Sequence, residues 1–275
     1  MPMFNWSSQF PSHRQTILGR NGMVATSQPL AAQAGLAVLQ KGGNAVDAAI
    51  ATMAVMCVVE PCSTGIGGDA FGLIWSAAEQ KLYGINGSGP APLALDVDKL
   101  RAAGHTKMPT LGGIAVTVPG SLRAWELALG KFGTMGLDSL LAPTIDYANN
   151  GFPISPVIGR QWAFSAEKMS RLPDSKRVWL PNGNTPAIGS LFRNPEFAYT
   201  LSQIANQGYD AFYTGAIAEQ LVNAVQADGG LLTLDDLAGY AAEWVEPISA
   251  DYRNGRGETY TMHEIPPNGQ GLTAL

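Results

Sequence analysis

The run from Ala45 to Val59 limits the fold more than any other stretch. After Asp47 it is almost wholly apolar. Gly42-Gly43 breaks the chain before it, Asn44 is placed as a helix N-cap, and Pro61 stops it. A helix that is apolar on nearly every face must be buried. This one is too short for a bilayer, which needs about 20 apolar residues. A small-residue turn follows, Ser63-Thr64-Gly65-Ile66-Gly67-Gly68. Two apolar runs come next, Ala70 to Trp75 and Lys81 to Ile85, separated by Glu79-Gln80. That pattern is a β-hairpin leaving a buried helix. The glycines let the helix end and the strand start pass close together.

The flanking sequence predicts mostly helix. Residues 1–20 are polar and proline-containing, an extended arm, and Gly22 to Ala25 is a short edge strand. Ser27 and Pro29 open a helix ending at Gly42-Gly43. Asp96 caps a short helix to Ala103. Ile114 to Val118 is a strand, and Pro119-Gly120-Ser121 opens an amphipathic helix to Lys131. Leu137 to Asn149 is a helix in which Pro143 predicts a kink or a second start. Residues 155–169 are helical, and Arg171 to Arg193 is loop with at most a short hairpin. Pro195 to Asn206 and Thr214 to Ala227 are helices, and Thr233 caps a turn to Gly239. Glu243 to Tyr252 and Glu258 to Ile265 are strands. The last residues, Gly271 to Leu275, begin an apolar helix. Composition and pattern alone support an α/β or α+β protein, mostly helical, with few strands.

At 275 residues, 46% apolar and 14% charged, the chain can bury a sizeable core in one large or two small domains. The net charge of −5 and the lack of a basic stripe disfavour nucleic-acid binding. Cys57 and Cys62 flank the end of the apolar helix and are expected as packed thiols, since a bridge across a helix end has poor geometry. The N-terminal twenty residues contain no apolar core segment, so no secretory signal is read there, and a cytoplasmic location is expected. No stretch is expected to span a membrane.

Catalytic motifs are missing. His13, His105 and His263 stand without motif neighbours and are expected as structural or solvated. No GxSxG, HExxH, phosphate loop or paired-cysteine ligand set is present, so neither cofactor nor metal is expected. Glu60 and Asp69 flank the glycine turn as an acid pair or cation site, or, in the plainer reading, Asp69 bonds turn amides and Glu60 caps or pairs locally. Ser63, Thr64 and the amides of Gly65 to Gly68 are either an anion nest or simple packing.

Four pieces, GGNAVDAAIA, VVEPCSTGIGGDAF, TVPGSLRAWELALGKFG and EIPPNGQG, occur in an order that resembles the gamma-glutamyltransferase family over roughly residues 22 to 275. These are N-terminal-nucleophile enzymes, made as one precursor and self-cleaved into a large and a small subunit. The resemblance implies a four-layer αββα sandwich within the α+β class, with residues 1–275 supplying only the large-subunit part. It implies that the nucleophile is a threonine leading the small subunit, whose free α-amine is the base. With a reference pKa of about 8, that amine suits base work near neutral pH. No such threonine segment is found here, so no catalytic residue is assigned within this chain. A cytoplasmic location would depart from the many exported relatives.

The resemblance assigns substrate grip to the large subunit. Glutathione-cleaving members hold the glutamyl α-carboxylate with an arginine just after the second hairpin strand. Here that position is Asn86, followed by Gly87 and Ser88. Asn86, Gly87 and Ser88 are therefore the candidate substrate-binding residues, against the plainer reading of Asn-Gly as a tight turn. A charge-assisted hydrogen bond contributes roughly 1.5–3 kcal/mol against about 1 for a neutral one, so weaker glutamyl recognition is expected. The leading reading is cleavage of gamma-glutamyl amides, glutathione among them, through an acyl-enzyme, with the protein's own small subunit as partner. A glutaryl or cephalosporin-acylase-like amidase is the nearest rival, and the missing arginine favours it. A noncatalytic truncated or pairing subunit is the rival of another class.

Overall fold

The structure, a computed structural model, describes residues 16–275. Two antiparallel helices open it, α1 (Pro29–Gln40) and α2 (Ala45–Val59). The Asn44 side chain accepts from the amides of Val46 and Asp47, and the Asp47 carboxylate accepts from the Asn44 amide, a reciprocal capping box. The apolar run from Val46 to Val59 is buried almost throughout, as an all-round apolar helix must be. The hairpin follows as β1 (Ala70–Ser76) and β2 (Lys81–Gly87), in register from Ala70 opposite Gly87 to Ser76 opposite Lys81. Next come α3 (Val97–Ala102), capped by Asp96, α4 (Ser121–Phe132) and α5 (Leu137–Asn150). The chain continues through β3 (Phe152–Pro153), α6 (Pro156–Met169), α7 (Pro173–Trp179) and β4 (Leu191–Phe192). Helices α8 (Pro195–Gln207), α9 (Asp210–Tyr213), α10 (Gly215–Ala227) and α11 (Leu234–Ala238) precede β5 (Glu243–Val245), β6 (Ile248–Arg253), β7 (Thr259–Glu264) and α12 (Gly271–Ala274).

The core is a helical layer on one face of a sheet. Strand β2 lies between β1 and β5, all antiparallel, while β6 and β7 form a separate hairpin. Helix α2 is the hub, packed by α1, α4 and α5, and α5 in turn carries α8. Helix α4 seats the sheet. There the rings of Tyr83, Phe132 and Trp244 meet edge to face, with centroids 5.3, 5.6 and 5.7 Å apart. The opposite sheet face carries Phe71, Leu73 and Trp75, exposed at 45%, 42% and 57%. The class is α+β as expected, and the described residues supply a helical layer and a sheet layer.

Several local expectations are corrected. Gly22 to Ala25 forms no strand. The N-cap of α1 is Gln28, whose Oε1 accepts from the Leu30 amide, because Ser27 instead donates to the buried Glu60 (2.8 Å). Ile114 to Val118 is a 3₁₀ turn and an extended link; Val118 donates to Pro90 outside any ladder. Pro143 lies within one continuous α5, without a second start. Between Arg171 and Arg193 stand α7 and β4, not loop alone. That segment is organised by tertiary contact: Trp162 is fully buried, donates to the Trp179 carbonyl (2.8 Å), and packs its ring on Phe192. Glu243 to Tyr252 is two strands, broken at Glu246-Pro247, since Pro247 has no amide to donate. The arm over residues 1–20 falls largely outside the described residues, as does His13.

Candidate functional site

The exit of β2 is built by glycines against the start of α4. A β-carbon on Gly89 would stand 1.5 Å from the Val118 carbonyl oxygen, and one on Gly120 would stand 1.9 Å from that of Gly87. On Gly87 it would meet Ala124 Cβ and the Ala70 carbonyl oxygen, each at 2.6 Å. Backbone therefore lies directly on backbone, which only residues without a β-carbon permit. The Gly68 carbonyl accepts from the amides of Gly120 and Ser121 and from the Ser121 hydroxyl, each at 2.9 Å. Of the orphan donors at the start of α4, those of Gly120 and Ser121 are thus satisfied by the glycine turn, and that of Arg123 by the Tyr213 hydroxyl. The Asp69 carboxylate accepts from the Gly89 amide at 3.1 Å, closing the loop between the start of β1 and the end of β2.

Asn86, Gly87 and Ser88 sit on this clamp. Asn86 and Ser88 are half-buried and Gly87 is buried. Asn86 Oδ1 accepts from the Ser88 amide at 3.1 Å, an Asx turn that uses the carbonyl end of the carboxamide and leaves its amide end available. Asn86 pairs with Phe71 on one side and Glu243 on the other, so ring, carboxamide and carboxylate form one row across the sheet. The Tyr240 hydroxyl is buried without a hydrogen-bond partner and would lie 2.9 Å from a β-carbon on Gly120. Burial first, then the Asp69 and Glu243 carboxylates, push its pKa up to about 12. Glu243 and Tyr240 were not legible as site residues, because their place beside Asn86 depends on a strand pairing between distant parts of the chain.

The other sequence candidates are placed apart or spent. Asp69 bonds the amide of Gly89 at the hairpin exit, not one in the 63–68 turn. Glu60 caps the end of α2 through its backbone as expected, while its carboxylate pairs with the distant Ser27 and not locally. The amides of Ser63 and Thr64 donate to the Glu60 carbonyl, and that of Gly68 to Gly65, so the turn is the C-terminal finish of α2 and those donors are not free for an anion. Cys57 is buried, Cys62 half-buried, and both are free thiols. Burial pushes the Cys57 thiol up to about 12. His105 follows α3 and His263 lies on β7, both exposed. Among the described residues no group of three or more His, Cys, Asp or Glu could hold a metal ion. Among them, too, no helix is long and apolar enough to cross a membrane. A groove of about 1580 Å³ between α7, α8 and α10 does not reach Asn86. Its Arg177 is held by Glu196 and Asp174.

The chain belongs to the gamma-glutamyltranspeptidase family, whose profile matches residues 31–275. It is 36% identical over 262 residues to the glutathione hydrolase-like YwrD proenzyme of Bacillus subtilis, covering 95% of this chain and 49% of that protein. A cephalosporin acylase structure from Bacillus halodurans superposes with a TM-score of 0.88 at 44% identity, covering 100% of this chain and 51% of that one. The gamma-glutamyltranspeptidase of Helicobacter pylori superposes at 0.87 with 31% identity, covering 94% of this chain and 74% of that one. The chain spans about half the length of the curated relatives it matches.

Proposed function

We propose that the complete protein is an N-terminal-threonine enzyme that cleaves amides of gamma-glutamyl or related acyl groups, with this chain as its large-subunit part. The threonine, from the partner small subunit made by self-cleavage, attacks the amide carbonyl. Its α-amine accepts the hydroxyl proton, directly or through water, and returns it to the departing amine. Water or an amino acid then resolves the ester. In this reading Asn86, Gly87 and Ser88 contact the acyl group. The observation that carries it is the glycine clamp, which fixes Asn86 at the hairpin exit where the family's arginine is expected.

An acylase is the second reading. A glutaryl group keeps the carboxylate of a glutamyl group and lacks only the amino group, so the missing arginine weakens recognition of both. What favours an acylase is the likeness to the Bacillus halodurans cephalosporin acylase across this whole chain. A cytoplasmic location is carried with the proposal, supported by the free thiols, and fractionation of the native source tests it. The deciding experiment for activity is the intact mass of the protein from that source, with a denaturing gel. Two fragments, the smaller beginning with threonine, are expected. A single unprocessed species would sink the catalytic reading and leave the noncatalytic one.

A further inference from the structure

We propose that Glu243 is a specificity residue of the cross-strand row at Asn86, where its carboxylate receives an ammonium group carried by the acyl part of the substrate. This rests on the amide-cleaving reading above. Glu243 stands directly opposite Asn86 in the antiparallel pairing of β2 and β5. Directly opposed residues project to the same face with β-carbons about 4.5–5.5 Å apart. The Asn86 carbonyl end is held by the Ser88 amide, so its free amide end suits an acceptor oxygen on a ligand. The Glu243 carboxylate is exposed and has no hydrogen bond or ion pair among the described residues. The nearby Glu246 differs, since Lys81 holds it at 2.9 Å.

The surroundings deepen this asymmetry. Asp69 brings a second carboxylate to the hairpin exit, one oxygen of which is bonded to the Gly89 amide. The Tyr240 hydroxyl, buried and unpartnered, keeps its proton beside both carboxylates. A substrate seated over this row strips water from Glu243, and a charge without water must be paired to be tolerated. An ammonium group beside an acceptor oxygen matches the row of carboxylate and carboxamide. An acyl group with a carboxylate and no ammonium meets the Asn86 amide but leaves Glu243 without a counter-charge. The row therefore selects α-amino acyl groups over simple dicarboxylic ones.

The test uses the full-length processed protein with two anilides that differ only in that amino group and its carbon's substitution, gamma-glutamyl and glutaryl p-nitroanilide. Wild type is expected to favour the gamma-glutamyl compound. Glu243→Gln should shrink that kcat/KM ratio about tenfold, mainly through KM, and Glu243→Lys should invert it. Glu246→Gln, an exposed carboxylate on the turn beyond β5, should leave it unchanged. A mere structural role would lower both activities without moving the ratio. An unchanged ratio in both Glu243 variants, or a wild-type preference for the glutaryl compound, overturns the proposal and leaves the amide-cleaving reading standing. No turnover of either anilide by processed wild type overturns both.

Discussion

The Gly87 carbonyl oxygen and the α-carbon of Gly120 are packed so tightly that a β-carbon on Gly120 would stand 1.9 Å from that oxygen. The obstructing atom is backbone, so no side chain can rotate away. Gly120→Ala should destabilise the fold by upwards of about 3 kcal/mol. Gly89→Ala should do the same against Val118. Gly67→Ala places its methyl group in open space, with nothing within 4 Å, and should stay within about 0.5 kcal/mol of wild type. Thermal melts of the full-length protein read all three, and equal melting points would refute the clamp.

Asp47 ties the start of α2 to the link that follows α4. Fully buried, it accepts from the amides of Asn44, Thr134 and Met135 and from the Thr134 hydroxyl. Asp47→Ala strands three backbone donors and should cost about 3 kcal/mol or more. Burial works to raise its pKa, but the bonds from Thr134, Asn44 and Met135 outweigh burial and hold it below the usual carboxylate value. A depressed folded value means stability that is present above the unfolded pKa of about 4 and is lost as pH falls through the folded value. Acid titration of the Asp47→Asn protein should therefore show a shallower loss of stability below about pH 4. A limb as steep as that of wild type would count against this role.

Under the proposed function, Asn86 offers a neutral amide where the resemblance places a guanidinium. Asn86→Arg should lower KM for both gamma-glutamyl and glutaryl anilides, about tenfold, since both carry a carboxylate. The introduced guanidinium is also drawn to Glu243 across the strand pair, so the gain should be larger in a Glu243→Gln background. Steady-state kinetics on the single and double variants measure the coupling. Additive effects would mean that the two side chains do not meet.

Local signals carried far in this chain. The all-apolar α2 between Asn44 and Pro61, the hairpin register and the Thr233 cap are short-range patterns, and each appears where the sequence places it. Misses came where a distant partner decides. Ser27 was read with Pro29 as opening the first helix, yet it bonds Glu60, a residue 33 positions on, and Gln28 caps. The stretch from Arg171 to Arg193 is rich in turn residues, but Trp162 and Phe192 pin it around α7. Asn86 was singled out as a candidate because it lies within a motif, and its place at the hairpin exit follows from the local hairpin register. Glu243 was not, because pairing alone brings it there.

The glycine clamp also bears on redesign. Its closest contacts run through main-chain atoms of Gly68, Gly87, Val118 and Gly120, with the Ser121 hydroxyl and the Asp69 carboxylate as its side-chain members. Positions 86 and 243 can then be varied together, as a small combinatorial library, at the cost within the clamp region of the Asn86–Ser88 turn bond alone. Under the proposed function, the side chains at 86 and 243 are in that sense a replaceable fitting on a fixed mount.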